Sequence, residues 1–130
     1  MNPNFKVFNK FIGHQGPVYS IYNKENILYS ASSDYSLKIW DILNQKIIKS
    51  FKLNALAYSI YADQKNNILL GLNNGNIQII KKDNSIKTIK TNEAIAFFSF
   101  SESQNENEIF VGSSNGKLFV LNSIDYTIKN

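Results

Sequence analysis

The chain has 130 residues, a formal net charge of +4 and no cysteine, which excludes a disulfide framework, a thiolate nucleophile and a thiolate zinc site. All fourteen basic residues are lysine, so the planar guanidinium fork that grips phosphate and reads guanine edges is missing. No basic run exceeds Lys81-Lys82, and nucleic acid is therefore not an expected partner.

The N-terminal segment MNPNFKVFNK lacks an apolar targeting core, and nowhere do eighteen apolar residues run together. No membrane partner is expected, and the expected location is cytoplasmic, with the nucleus as the alternative. Within this segment Lys6 to Phe11 alternates polar and apolar and matches Lys46 to Phe51 by position. The match predicts an orphan closing strand over residues 5–11.

Strands are then predicted over Val18 to Tyr22, Ile27 to Ser32, Leu37 to Trp40 and Lys46 to Phe51. The same four recur over Ala57 to Tyr61, Ile68 to Leu72, Ile77 to Ile80 and Ile86 to Ile89. A third set covers Ala96 to Phe100, Ile109 to Ser113, Leu118 to Leu121 and Tyr126 to Asn130. The echo is literal in the first strands, where YSIY occurs at 19–22 and again at 58–61. Ile68 to Gly71 and Ile109 to Gly112 lie 41 residues apart, a period that marks one supersecondary unit per repeat. Asn74-Gly75 and Asn115-Gly116 fall between the second and third strands and predict type I′ turns, with positive φ at both centres. The stretch SESQNENE from Ser101 to Glu108 reads as a polar surface loop. Its Glu102, Glu106 and Glu108 have no histidine or second carboxylate group to complete a metal shell. No helical period appears, and Pro3 and Pro17 both lie outside the predicted strands. The fold class is all-β.

The first unit opens with Gly13-His14 and closes with SASSDYSLKIWD, Ser30 to Asp41, and this spelling resembles the WD-repeat family of β-propellers. The resemblance implies three blades, about 13–51, 52–91 and 92–130. Propellers close with about 4 to 8 blades, so three make a partial propeller or half of a six-blade ring. In the family a hydrogen-bonded tetrad stiffens each blade, and His14, Ser30 or Ser32, Asp34 and Trp40 match it by position. The competing reading takes the histidine, serine and aspartate as a catalytic triad. Blades 2 and 3 depart from the pattern, with Leu53-Asn54, Asn74 and Ile80-Lys81 in one and Asn92-Glu93, Asn115 and Leu121-Asn122 in the other. They are expected to be less rigid.

Two columns of the repeat are candidate contact positions for a protein or peptide partner. One is Tyr19, Tyr58 and Phe98 in the first strands. In the family this place opens onto the upper surface near the central channel, whereas the plain alternative makes the three rings core between blades. The other is Ser33, Asn73 and Ser114, which either bond a peptide backbone or cap their hairpins. The resemblance implies a non-catalytic interaction scaffold with no cofactor. Its alternatives are the recruiting portion of a larger kinase or ubiquitin-ligase type enzyme, a structural subunit completing a partner's propeller, and a homodimer closing a six-blade ring.

Overall fold

The structure, a computed structural model, describes residues 10–129. Of the expected closing strand, residues 5–9 lie outside that range, while Lys10 and Phe11 are irregular.

Three four-stranded antiparallel sheets follow one another along the chain, each strand pairing with the next. The first contains β1 (Val18–Lys24), β2 (Ile27–Ser32), β3 (Ser36–Asp41) and β4 (Lys46–Lys52). The second contains β5 (Ala57–Ala62), β6 (Ile68–Leu72), β7 (Asn76–Ile80) and β8 (Ile86–Lys90). The third contains β9 (Phe97–Ser103), β10 (Glu108–Ser113), β11 (Leu118–Asn122) and β12 (Ile128–Lys129). No helix occurs among the described residues. These are three propeller blades, each with β-branched and aromatic residues on a pleated, two-sided surface.

The core lies between the blades. Tyr29, Ala31, Leu37 and Ile39 of blade 1 pack on Ala57, Ile60, Ile68, Leu70 and Ile80 of blade 2. On its other side, blade 2 presents Leu69, Ile77, Ile79 and Ile89 to Phe97, Ile109, Val111 and Leu121 of blade 3. Alternate residues of one strand thus serve opposite junctions, as the two-residue period requires.

The registers align the blades residue by residue. Ala31, Gly71 and Gly112 are equivalent, and Leu37, Ile77 and Leu118 stand opposite them in the third strands. The small residue lets the next blade approach: a Cβ on Gly71 would come within 2.7 Å of both the Cβ and the carbonyl oxygen of Phe97. The first strands of successive blades pack together as a hub. There Ser59 Oγ donates to the Phe97 carbonyl at 2.9 Å, and Ser20 Oγ makes the equivalent, longer contact of 3.5 Å to the Ala57 carbonyl.

Three expectations change. The Asn-Gly turns are not type I′: only Gly75 (φ +80°) and Gly116 (φ +85°) are left-handed, because the connection has three residues or more and needs one such position at its end. In blade 1 Tyr35 takes that position at φ +62°. Of the stretch Ser101 to Glu108 only residues 104–107 form the surface turn, since β9 runs on to Ser103 and pairs with β10 beginning at Glu108. Two of its three acidic side chains have partners: Glu102 accepts from Tyr61 Oη at 2.9 Å and Glu108 pairs with Lys129 at 3.0 Å. Finally, β12 is only Ile128–Lys129, because Tyr126 is drawn out of the strand into a buried turn.

Candidate functional site

The polar network of blade 1 is built by two neighbouring strands and the turn before them. Ser30 on β2 and Trp40 on β3 face the same side of the sheet, and Trp40 Nε1 donates to Ser30 Oγ at 2.8 Å. The Gly13-His14 turn crosses above them and brings His14 Nε2 to 2.6 Å from the same oxygen. His14 Nδ1 stands 3.1 Å from Asp34 Oδ2. One proton arrangement satisfies every atom: Trp40 donates to Ser30, Ser30 to His14, and the other imidazole N–H to Asp34. Asp34 also accepts from the Gln15 amide at 2.9 Å and from the Ser36 hydroxyl at 2.5 Å. Burial opposes its ionisation, but the bonds from Ser36, Gln15 and His14 outweigh it and hold the carboxyl well below the usual range.

Ser32 has a separate task. Its hydroxyl donates to the Gly16 carbonyl at 3.0 Å and accepts from the Asp34 amide at 3.1 Å, bracing the hairpin. The arrangement of histidine, serine and aspartate does not suit nucleophilic attack. Ser30 is buried, and its oxygen already accepts the indole N–H.

In blades 2 and 3 the same column is aliphatic. Leu70 and Val111 replace Ser30, Ile80 and Leu121 replace Trp40, and all four are buried. Hydrocarbon packing fills the space that hydrogen bonds organise in blade 1.

The aromatic column rests on a feature invisible in any single strand. Each first strand has a β-bulge at one place: the pairing jumps from Val18 to Ser20, from Ala57 to Ser59 and from Ser99 to Phe97. The skipped residues are Tyr19, Tyr58 and Phe98. A bulged residue lacks an opposite partner and is re-aimed off the regular pleat. All three rings consequently turn the same way and touch in a row, with centroids 5.6 Å apart for Tyr19 and Tyr58 and 5.7 Å for Tyr58 and Phe98. Tyr58 in the middle is half-buried, while Tyr19 is 48% and Phe98 54% exposed.

The second column lies beside the first. Asn73 N donates to the Leu56 carbonyl at 2.9 Å, and its side-chain oxygen accepts from the Leu56 amide at 3.2 Å. Ser114 forms the same two-way latch with Ala96, at 2.9 and 3.0 Å. In blade 1 Ser33 N donates to the Pro17 carbonyl at 2.9 Å. Proline has no amide proton to return, so the Ser33 hydroxyl stays without a hydrogen-bond partner among the described residues. Two of the three small polar groups are thus occupied as caps.

One constellation was not singled out from the sequence. Asp63, fully buried in the turn after β5, accepts from the Lys65 and Asn67 amides at 3.0 and 2.9 Å and from the Tyr126 hydroxyl. Asn67 Nδ2 donates to the same hydroxyl at 2.8 Å. Lys65 Nζ lies 4.4 Å above the Tyr126 ring. Burial and Asp63 push the Tyr126 phenol up, against the opposing bond from Asn67, and it stays protonated as a donor. The available signal was an aspartate in a turn otherwise spelled with glutamine, lysine and asparagine.

Among the described residues no group of three or more histidines or carboxylates is placed to hold a metal ion. Nor is any helix there long and apolar enough to cross a membrane.

A family model described as "Ciliary BBSome complex subunit 2, middle region" matches residues 18–121. COMPASS component SWD3 of Saccharomyces cerevisiae is 38% identical over 56 residues, which are 42% of this chain and 18% of the yeast protein. E3 ubiquitin-protein ligase TRAF7 of Mus musculus is 46% identical over 39 residues, 28% of this chain and 7% of that one. The chain therefore spans under a fifth of the length of these curated relatives. Among solved structures, U3-55K superposes with a TM-score of 0.83 at 12% identity, over 92% of this chain and 40% of that one. The RRP9 WD40 repeats give 0.82 at 12% identity, over 92% and 39%. The computationally designed Ika4 protein gives 0.76 at 15% identity, over 95% and 79%. At such identities these superpositions establish the fold: all-β, propeller blades of WD40 type. The chain belongs to the family of the ciliary BBSome complex subunit 2 middle region, and its three blades are those of a WD-repeat β-propeller.

Proposed function

We propose that the chain is a non-catalytic scaffold that holds an extended segment of a partner protein along the Tyr19, Tyr58 and Phe98 row. The observation that carries this reading is the triple bulge. Three successive blades each give up regular pairing to place an aromatic ring on one continuous, half-exposed strip. Aromatic rings supply large contact area at low entropic cost, and the Ser33 hydroxyl, without a partner among the described residues, adds a backbone-bonding group at one end of the strip. The printed names of the family and relatives describe a complex subunit, a complex component and a ubiquitin ligase, which agrees with a module that recruits or assembles. The same names support the reading of a recruiting portion within a larger ubiquitin-ligase type enzyme.

A photo-crosslinking side chain at Tyr58, in the full chain inside cells, should capture a partner that a Tyr19→Ala, Tyr58→Ala double variant loses. The double variant should keep its melting temperature within a few degrees. If it unfolds instead, the rings are core and the strip is not a binding surface.

A second reading, completion of a propeller by further blades, is favoured by one comparison. Leu37 and Ile77 are 0% exposed, while their equivalent Leu118 is 76% exposed beside Phe110 and Ser99. Blade 3 thus carries a forward face of the same design with nothing upon it among the described residues. Two copies would make six blades, and light scattering at twice 14.8 kDa would support that closure. A folded monomer would exclude it for this chain alone.

A further inference from the structure

We propose that the cleft between blades 1 and 2 is a second docking site, which takes an aromatic side chain from an acidic peptide segment of a partner protein. The cleft measures about 230 Å³, and Tyr29, Ile39, Phe51, Ile68 and Ile80 form its walls. The molecule displays the occupant that such a cleft accepts, because the junction between blades 2 and 3 is built on the same plan. There Ile79, Ile89, Ile109 and Leu121 stand at the register positions of Ile39, Phe51, Ile68 and Ile80. That second space is filled from within by Tyr126, which packs in one cluster with those four residues and is 3% exposed.

Tyr126 and Asn84 hold the same place in their blades. Each is the left-handed residue of the turn into the fourth strand, with φ of 62° and 69°, and each amide bonds back across the turn at 2.8 Å, to Asn122 and Lys81. Lys87 and Lys49, also equivalent, each reach across their junction to this turn, to the Asp125 carbonyl and the Asn84 side chain. A tyrosine therefore plugs one junction, and an asparagine leaves the other open. The opening is widened by a bulge at Ile48, where β4 steps out of register with β3, whereas β7 and β8 pair without interruption. Ile48 is itself part of the lining.

Charge selects the rest of the ligand. Lys49, Lys81 and Lys82 belong to the lining, and no carboxylate does. At the filled junction, Asn67 and Asp63 bond the phenol hydroxyl. The position of Asn67 is taken at the open junction by Ile27, so a phenylalanine ring meets hydrocarbon, and carboxylates on either side of it meet lysine.

The test is fluorescence anisotropy of the full chain with a labelled peptide Glu-Glu-Phe-Glu-Glu, and with Glu-Glu-Ala-Glu-Glu as the control. Saturable binding of the first and at least about tenfold weaker binding of the second are expected. Asn84→Tyr, which installs the plug seen at the other junction, should remove binding and raise the melting temperature. Lys81→Glu with Lys82→Glu, at two exposed positions, should also remove binding without depending on how a new ring packs. Equal affinity for both peptides, or retention of binding in the lysine pair, would overturn the proposal. Loss of binding in Tyr19→Ala, Tyr58→Ala with the cleft intact would place the peptide on the aromatic strip instead, which overturns the cleft and leaves the proposed function standing.

Discussion

Trp40 and Ser30 stand opposite each other's neighbours on β3 and β2, and the indole N–H of one closes on the hydroxyl of the other at 2.8 Å in a buried space. Removing the hydroxyl strands two buried groups, the indole N–H and His14 Nε2. Ser30→Ala should therefore cost more than one ordinary hydrogen bond, about 1–3 kcal/mol for each group left unmade. Replacing the column as blade 2 does, Ser30→Leu with Trp40→Ile, removes the hydroxyl and the indole N–H together and should cost less than the two single changes added. Urea unfolding of the singles and the double measures this coupling directly.

Acid should act on blade 1 through Asp34. Its folded carboxyl releases the proton well below the ordinary value of 3.8, which the unfolded chain retains. Between those values the unfolded state binds the extra proton, so unfolding is favoured as pH falls. The contribution is complete above the ordinary value and is lost through the lowered one. Asp34→Asn should flatten the decline of stability between about pH 5 and 2, and should destabilise the chain at neutral pH. An unchanged acid slope in the variant would remove Asp34 from that role.

Gly71 and Gly112 occupy one repeat position with opposite surroundings. Gly71→Ala pushes against the Phe97 backbone and should cost about 1–3 kcal/mol, since overpacking at a blade junction forces two sheets apart. Gly112→Ala meets only Ser99 Oγ at 3.0 Å and should stay within about 0.5 kcal/mol in the free chain. Thermal melts of both variants decide the matter. If a partner seats a blade on that face, Gly112→Ala should then weaken the complex.

Tyr126→Phe keeps the ring between blades 2 and 3 and deletes its hydroxyl. Asp63 retains the Lys65 and Asn67 amides, while Asn67 Nδ2 loses its acceptor. A loss of about 1–3 kcal/mol is expected. Tyr126→Ala should lose more, because it also opens a cavity where the ring packs. Hydrogen exchange at the Asn67 amide, which donates to Asp63 at 2.9 Å, should quicken in both variants.

The strands were legible because their residues alternate, and the order of blades because YSIY links the first strands of blades 1 and 2 and a glycine links the second strands of blades 2 and 3. His14, Asp34 and Trp40 were legible as family spelling, but the choice between Ser30 and Ser32 was not, since both sit on one face of β2 and only the position of Trp40 separates them. The bulges at Tyr19, Tyr58 and Phe98 were not legible. A bulge is a relation between two strands, and the residue that it re-aims looks in sequence like any other strand aromatic. The bond between Tyr126 and Asp63 joins turns 63 residues apart, and neither turn carries a motif. Blades 2 and 3 are expected to be less rigid because their polar signature is gone; what sequence spelling did not show is that buried Leu70, Ile80, Val111 and Leu121 stand in its place.

Each junction in this chain joins unlike surfaces: a serine hydroxyl on one blade meets a strand carbonyl on the next, and a small residue receives a larger neighbour. Contacts of that polarity have no twofold axis. Repeated between molecules, they end in a ring when the rotation per blade closes, and otherwise they continue as a filament. Ser99 and Gly112 lie on the leading face of the three described blades and Val18 and Ile21 on the trailing face, so copies meeting there join head to tail, and the rotation per blade decides between ring and filament.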